Sequence, residues 1–246
     1  VPPPPPGAAP DTPPTCGNAY ADTVVERSTR SSEDLVTATA PTTAPALHPL
    51  LAGTRSTRAF HPAPVPDDVL ATLLDAARWA PSAMNAQPWR FLVGRAGPDG
   101  PDATHAGLFA TLGGGNQAWA GQAPLLVAAL VRVQEDDGSA RAVGPYELGL
   151  AVAQLSLQAA ALGLAVHQIG GFDADALARA FAVPAGYRAV TVLAIGRPGD
   201  PAALPEWARA REVAPRERLP LEQIAFTGAF GVPLELATDG TEAEAA

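Results

Sequence analysis

From Tyr146 to Val166 the chain reads YELGLAVAQLSLQAAALGLAV and carries no charge after Glu147. A helix of that composition has almost no polar face to give to water, so it must be buried on nearly every side. Its length approaches that of a membrane span. However, Gln154, Ser156 and Gln158 interrupt it, alanine dominates it, and neither a second span nor an arginine asymmetry at its ends supports insertion. The stretch therefore predicts a central helix of a water-facing molecule with no membrane partner, and the other elements must be arranged so as to cover it.

The chemistry available to such a molecule is narrowed by composition. The formal net charge is -9 over 246 residues, with a sequence pI near 4.8 and no basic cluster of the kind that tracks nucleic acid. All 16 basic residues are arginine. Without lysine there is no Schiff base, no pyridoxal phosphate attachment and no Walker lysine. Cys16 is the single cysteine, which excludes an intrachain disulfide and a thiolate metal cage and fits a reducing cytoplasm. The histidines, His48, His61, His105 and His167, show no metal-ligand spacing.

Residues 1–48 open with VPPPPPG and continue with Pro, Ser, Thr and Ala. Such a segment buries too little apolar surface to offset its ordering entropy, and it reads as a flexible tail, with a short helix around Ser32 to Ala38. It lacks the charged start and continuous apolar core of a signal peptide. Residues 49–233 carry the folding pattern, and residues 234–246 form an acidic tail.

Within the central region, Asp67 to Ala80 carries Val69, Leu70, Leu73, Leu74, Ala77 and Trp79 in an approximate i, i+3, i+4 pattern behind Pro66 and two early acids, which predicts a helix with one buried face. Ala80 to Trp89, APSAMNAQPW, follows as an ordered loop. Pro81 stops the helix, Pro88 drives Gln87 to extended backbone, and Trp89 starts the strand WRFLV as a core residue. A short helix is expected around Thr104 to Leu112, a helical turn at Asn116, and an apolar strand from Pro124 through LLVAALVRV. After the central helix, AVHQIGGFDADAL gives a turn at Gly170 and Gly171 and a helix capped by Asp173. His167, beside an apolar strand, reads as structural. Tyr187 to Ile195 alternates as a further strand.

Taken in order, RSTR at Arg55 to Arg58, PSAMNAQPW, Asn116, IGGFD and Arg216-Glu217-Arg218 resemble the FMN-dependent nitroreductase-like family, of the NAD(P)H:nitro/quinone oxidoreductase type. The resemblance covers about Leu50 to Pro233. It implies an α+β fold, a mostly antiparallel sheet flanked by helices, assembled as a domain-swapped homodimer with an FMN in each of two interface sites. In that family an Arg-x-Ser-x-Arg/Lys segment meets the ribityl phosphate and ring edge. Ser56 and Arg58 match its last two positions, whereas Thr54 stands at the first and Arg55 beside it. The resemblance further assigns Pro81, Ser82, Asn85 and Gln87 to a loop that crosses into the partner's flavin site. Asn116 becomes a flavin contact, Gly170 and Gly171 the backbone near flavin N5, and Arg216 and Arg218 a pair on the phosphate. Trp119 stands where several members carry a cation near the flavin N1 and O2. The last segment, LEQIAFTGAFGVP, would wrap the partner subunit.

What the resemblance implies for function is ping-pong hydride transfer. NADH or NADPH would reduce FMN, and an electron-poor small molecule, a nitroaromatic or quinone, would then be reduced in its place. No metal and no acid–base triad is required. Two other readings stand beside it: an FMN-dependent dehydrogenase or oxidase of a biosynthetic intermediate, and a non-catalytic flavin-binding protein, the latter motivated by Thr54 and Trp119.

Overall fold

A computed structural model describes residues 47–236. Residues 1–46 of the expected tail over residues 1–48, its helix around Ser32 to Ala38, and most of the acidic C-terminal tail lie outside the described residues.

Five strands form one sheet in the order β2-β1-β3-β5-β4, and every neighbouring pair is antiparallel. The strands are β1 (Trp89–Gly97), β2 (Gly100–Pro101), β3 (Leu125–Arg132), β4 (Ala165–Ile169) and β5 (Tyr187–Gly196). Period-two alternation divides the central strands between two apolar layers. Leu125, Val127, Ala129 and Val131 of β3 share one layer with Leu193 and Ile195 of β5, and Leu126, Ala128 and Leu130 share the other with Val192 and Ala194. Because both faces are covered, β3 is an apolar run rather than an amphipathic one.

On the first face lie α2 (Asp67–Arg78) and α5 (Gly144–Ala161). Leu70, Leu73 and Ala77 of α2 meet Leu148, Ala151, Val152, Leu155 and Ala159 of α5 in one core, the i, i+3, i+4 spacing of a buried stripe. The second face is covered by α3 (Ala103–Thr111), α4 (Gly114–Ala120), α6 (Ala174–Ala180) and α7 (Glu206–Val213). Asp102 caps α3 by accepting from the His105 amide at 2.7 Å, and Asp173 caps α6 by accepting from the Ala176 amide at 2.8 Å. A five-residue helix, α1 (Pro49–Gly53), precedes the sheet and is capped by His48.

Three expectations are corrected. Trp79 does not join the buried face of α2: the helix ends at Arg78, Trp79 is its C-terminal cap residue, and it is 75% exposed. The apolar stretch Tyr146 to Val166 is not one helix: α5 ends at Ala161, Gly163 turns the chain at φ 71°, and Ala165 and Val166 already belong to β4. A left-handed glycine is the usual helix stop, and an all-apolar sequence hides it because helix and buried strand share the same composition. Gln87 is also not extended; its φ is 45°. Its amide donates to Ser82 Oγ at 3.0 Å and its side chain donates to the Asn85 carbonyl at 3.1 Å, so the loop's own hydrogen bonds override the preference imposed by Pro88. Among the described residues, no helix is long and apolar enough to cross a membrane.

Candidate anion-binding cavity

The RSTR segment runs along a cavity of about 1090 Å³ between α1, the second half of α5, β4 and the chain that follows α7. Among the described residues, five arginines line it, Arg55, Arg58, Arg211, Arg216 and Arg218, against one carboxylate, Glu212. In a chain of net charge -9 that concentration of guanidinium groups is a local inversion of sign.

Each arginine is held by something other than a full counter-charge. Arg55 Nη2 donates to the Ala214 carbonyl at 2.7 Å, Arg216 donates to the carbonyls of Thr54 and Ala52, and Arg218 Nη1 donates to the Glu217 carbonyl at 2.7 Å. The Arg211 guanidinium lies 5.6 Å from the centre of the Trp207 ring. Carbonyl and aromatic partners fix a guanidinium without cancelling its charge. Among the described residues, only Arg58 of the five pairs with a carboxylate, its Nη1 3.8 Å from Glu212 Oε2. The cavity therefore presents uncompensated positive charge on pre-positioned forks, the arrangement that recognises a phosphate or another planar oxyanion.

Glu212 and His167 set the floor of this site from behind. Glu212 is buried on α7 and accepts from Thr57 Oγ1 and, at 2.9 Å, from the Arg58 amide. His167 of β4 is buried too, and its Nδ1 lies 2.9 Å from the Thr57 carbonyl and 3.1 Å from the Ser56 carbonyl. Its ring packs 4.5 Å from that of Trp119. Burial pulls the His167 pKa below its ordinary 6.5, and the nearby positive charge of Arg58 pushes in the same direction against the hydrogen bonds to Thr57 and Ser56. The neutral ring thus donates Nδ1–H to the backbone, and the structural reading of His167 holds. Glu212 was missed by sequence reasoning; in REVAPRER it looks like one member of an exposed charge run, and only the fold turns it inward.

The remaining predicted residues fall into two other groups within this chain. Asn116 and the Gly170-Gly171 turn meet each other: Asn116 Nδ2 donates to the Gly171 carbonyl at 3.0 Å, as does the Gly113 amide. A Cβ on Gly171 would stand 2.8 Å from Asn116 Nδ2 and would push that amide away from the carbonyl it holds. β4 links this turn to the cavity, since Gln168 lines the cavity and Gly170 follows two residues later. Trp119 faces the core at 1 % exposure, stacked on Phe60 and tilted against His167, and does not line the cavity.

Pro81, Ser82, Asn85 and Gln87 form the third group, at the other end of α5. The Ala83 amide donates to Glu147 Oε1 at 2.7 Å near the start of that helix, whereas Ala153, Ser156, Leu157 and Ala160 line the cavity. At 1.5 Å per residue the two regions are separated by about 9 to 20 Å along the helix. Within one chain this loop does not line the cavity.

An antiparallel α+β sheet with an arginine-lined cavity on its helical side defines the class, and comparison with known proteins supplies the family. Residues 51–197 match the Nitroreductase family model, and the chain belongs to that family. It is similar to the crystal structure of an oxidoreductase containing FMN, with a TM-score of 0.71 and 34% identity over 76% of this chain and 94% of that one. The uncharacterized 15.4 kDa protein of the ask 5' region of Mycolicibacterium smegmatis is 42% identical over 149 residues, 59% of this chain and 99% of its own. A 5,6-dimethylbenzimidazole synthase of Rhodospirillum rubrum is 31% identical over 63% of this chain and 83% of its own. A protein of Leptothrix cholodnii provisionally named an NADH dehydrogenase/NAD(P)H nitroreductase is 29% identical over 65% of this chain and 88% of its own.

Proposed function

We propose that the protein is an FMN-dependent oxidoreductase that transfers hydride from NADH or NADPH to an electron-poor acceptor, a nitroaromatic or a quinone. The observation that carries this reading is the cavity with five arginines and a single buried carboxylate. Its residues fit the group: a phosphate monoester needs fixed guanidinium forks, and a planar ring needs a roomy, partly apolar wall such as Leu157, Leu164 and Val166. The structural relative that contains FMN supports the same cofactor, and the name of the Leptothrix relative supports the nicotinamide donor.

In this reading Arg216, Arg218 and Arg55 neutralise the phosphate, while Ser56 and Arg58 meet the ribityl chain and ring edge. When bound, FMN supplies the hydride-accepting and hydride-delivering ring. The chain's part is to bind, orient and exclude water. Glu212 and His167 keep the RSTR backbone fixed, Asn116 holds the Gly170-Gly171 turn, and the apolar wall keeps solvent from the ring face.

A second copy of the chain completes the site. Asn85 and Gln87 lie outside the cavity of their own chain, and Trp79, Met84 and Tyr146 are exposed. These features support a homodimer in which Pro81, Ser82, Asn85 and Gln87 reach the partner's cavity and the C-terminal segment, with exposed Ile224 and Phe230, lies on the partner. The single cysteine supports a cytoplasmic setting. A second reading, a dehydrogenase or oxidase of a biosynthetic intermediate, is favoured by the Rhodospirillum relative named as a synthase.

Anaerobic titration of the FMN-loaded protein with NADH and NADPH separates the two. Bleaching of the visible band by a nicotinamide nucleotide, and its return on adding a nitroaromatic, is the expected result. A bound flavin that neither nucleotide bleaches would transfer the assignment to the second reading.

A further inference from the structure

The loop Ser82–Gln87 is an unusual object for an exposed segment. Met84, Asn85 and Gln87 have φ values of 53°, 54° and 45°, three non-glycine residues in the left-handed region within four positions. Side chains there crowd their own backbone, so the conformation persists only where surrounding contacts impose it. Packing does not impose it, since Met84 is 98% exposed and Ala83, Asn85 and Ala86 are also exposed. The loop's internal hydrogen bonds, Gln87 amide to Ser82 Oγ and Gln87 side chain to the Asn85 carbonyl, shape it, and at its far end Arg90 Nη1 of β1 donates to the Gln87 carbonyl at 2.9 Å.

The attachment of its first turn comes from a buried carboxylate. Glu147 is 3% exposed, on the first turn of α5, and its Oε1 accepts from the Ala83 amide at 2.7 Å. Arg141 grips the same carboxylate, with Nη2 2.7 Å from Oε2 and 3.0 Å from Oε1, and is itself held by Glu135 at 2.7 Å. A charge pair at that depth costs desolvation that a pair of apolar side chains would not. It is oriented so that the one oxygen with spare capacity meets the root of the loop.

We infer that Glu147, paired with Arg141, is a positioning residue for the flavin site: its hydrogen bond to the Ala83 amide holds Ser82 to Gln87 in the left-handed form that presents Ser82, Asn85 and Gln87 to the cofactor of the second subunit. This inference rests on the FMN-binding homodimer reading for its consequence in binding. The clamp itself is a property of the chain without ligand. The Glu135-Arg141-Glu147 network thus couples the start of the central helix to a loop whose side chains act elsewhere.

Two substitutions separate the clamp from the ion pair. Glu147→Asp keeps the charge opposite Arg141 but withdraws the carboxylate by about 1.5 Å, one carbon–carbon bond, and loses Ala83. Glu147→Gln keeps an oxygen that reaches Ala83 but loses the charge opposite Arg141. In the full-length apoprotein, amide hydrogen exchange over residues 83–87 is expected to accelerate about tenfold in E147D and to stay near wild type in E147Q, whereas E147Q has the lower melting temperature. With FMN added, E147D is expected to bind about tenfold more weakly, the cost of one charge-assisted contact, and E147Q close to normally.

A merely structural role predicts instead that exchange and FMN affinity follow melting temperature in both variants, and that result would overturn the inference. So would a loosened loop in E147D with unchanged FMN affinity. If the wild type binds no FMN, the cofactor reading fails, and the apoprotein exchange still decides whether the clamp exists. Should E147D not fold, the wild type suffices: the Ala83 amide must exchange at least about tenfold more slowly than that of Met84, and equal rates would refute the clamp.

Discussion

Replacing Glu212 tests whether the cavity floor is built as described. In Glu212→Ala two donors, Thr57 Oγ1 and the Arg58 amide, lose a buried charged acceptor at once. Hydrogen bonds to charged groups are each worth about 1.5–3 kcal/mol, and removing one partner from such a buried cluster costs about 3–5 kcal/mol in total. The Arg58 ion pair adds little, because its 3.8 Å separation and the partial exposure of the guanidinium leave it weakly coupled. Thr57 retains a long contact, 3.4 Å, to the Ala59 carbonyl. In Glu212→Gln the amide oxygen can still accept from Arg58 while its NH₂ donates to Thr57 Oγ1, so the loss shrinks to the charge assistance, about 1–2 kcal/mol. At about 2–4 °C per kcal/mol for a chain of this size, E212A should melt about 6–20 °C below wild type and E212Q about 2–8 °C below, read by circular dichroism. An E212A variant within about 1 kcal/mol of wild type, or an E212Q variant as unstable as E212A, would show that the RSTR segment is held by something else.

Three further outcomes are expected. The depressed pKa of His167 means that the unfolded chain takes up a proton that the folded chain refuses, so its contribution to stability is complete above pH 6.5 and is lost as pH falls from there through the folded pKa. Melting temperatures of wild type and His167→Gln across pH 5–8 should differ in slope on the acid side, and parallel curves would contradict the buried neutral ring. Arg218→Ala should weaken FMN binding about 10- to 100-fold, equivalent to about 1.5–3 kcal/mol, with no effect on melting of the apoprotein; an unchanged dissociation constant removes Arg218 from the site. Gly94→Ala should destabilise by about 3 kcal/mol, because the new Cβ would lie 2.3 Å from the His105 amide where α3 crosses β1, and a neutral result in urea denaturation would refute that close approach.

Much of the sheet was legible because its strands are punctuated. Trp89 follows Pro88, Leu125 follows Pro124, and Tyr187 follows the Pro184 turn, so each run announces its start. The cap at Asp173 stands directly before its helix with the oxygen chemistry that a cap needs. The split of the central apolar stretch into α5 and β4 was not legible, since the glycine that divides it lies among residues of uniform hydrophobicity. The left-handed Gln87 was not legible either, because a general preference before proline lost to three hydrogen bonds that only the folded loop makes.

The site shows the same division. Arg55, Ser56 and Arg58 line one cavity with Arg216 and Arg218, which follow more than 150 residues later in the sequence. Glu212, Glu147 and Arg141 were invisible because their importance comes from burial, which the sequence pattern of a charged turn does not reveal. Glu212 and Glu147 hold the backbone amides of Arg58 and Ala83, and Arg141 holds the Glu147 carboxylate.

The most direct test of the arginine cavity is a pair of equilibrium titrations of the purified apoprotein, one with FMN and one with riboflavin, which lacks the phosphate. Uncompensated arginines aimed at a phosphate predict FMN binding tighter by about 100-fold or more, a preference that shrinks with rising salt. Equal affinity for the two, or none for either, would contradict the assignment of Arg55, Arg216 and Arg218 to a phosphate and with it the proposed cofactor site.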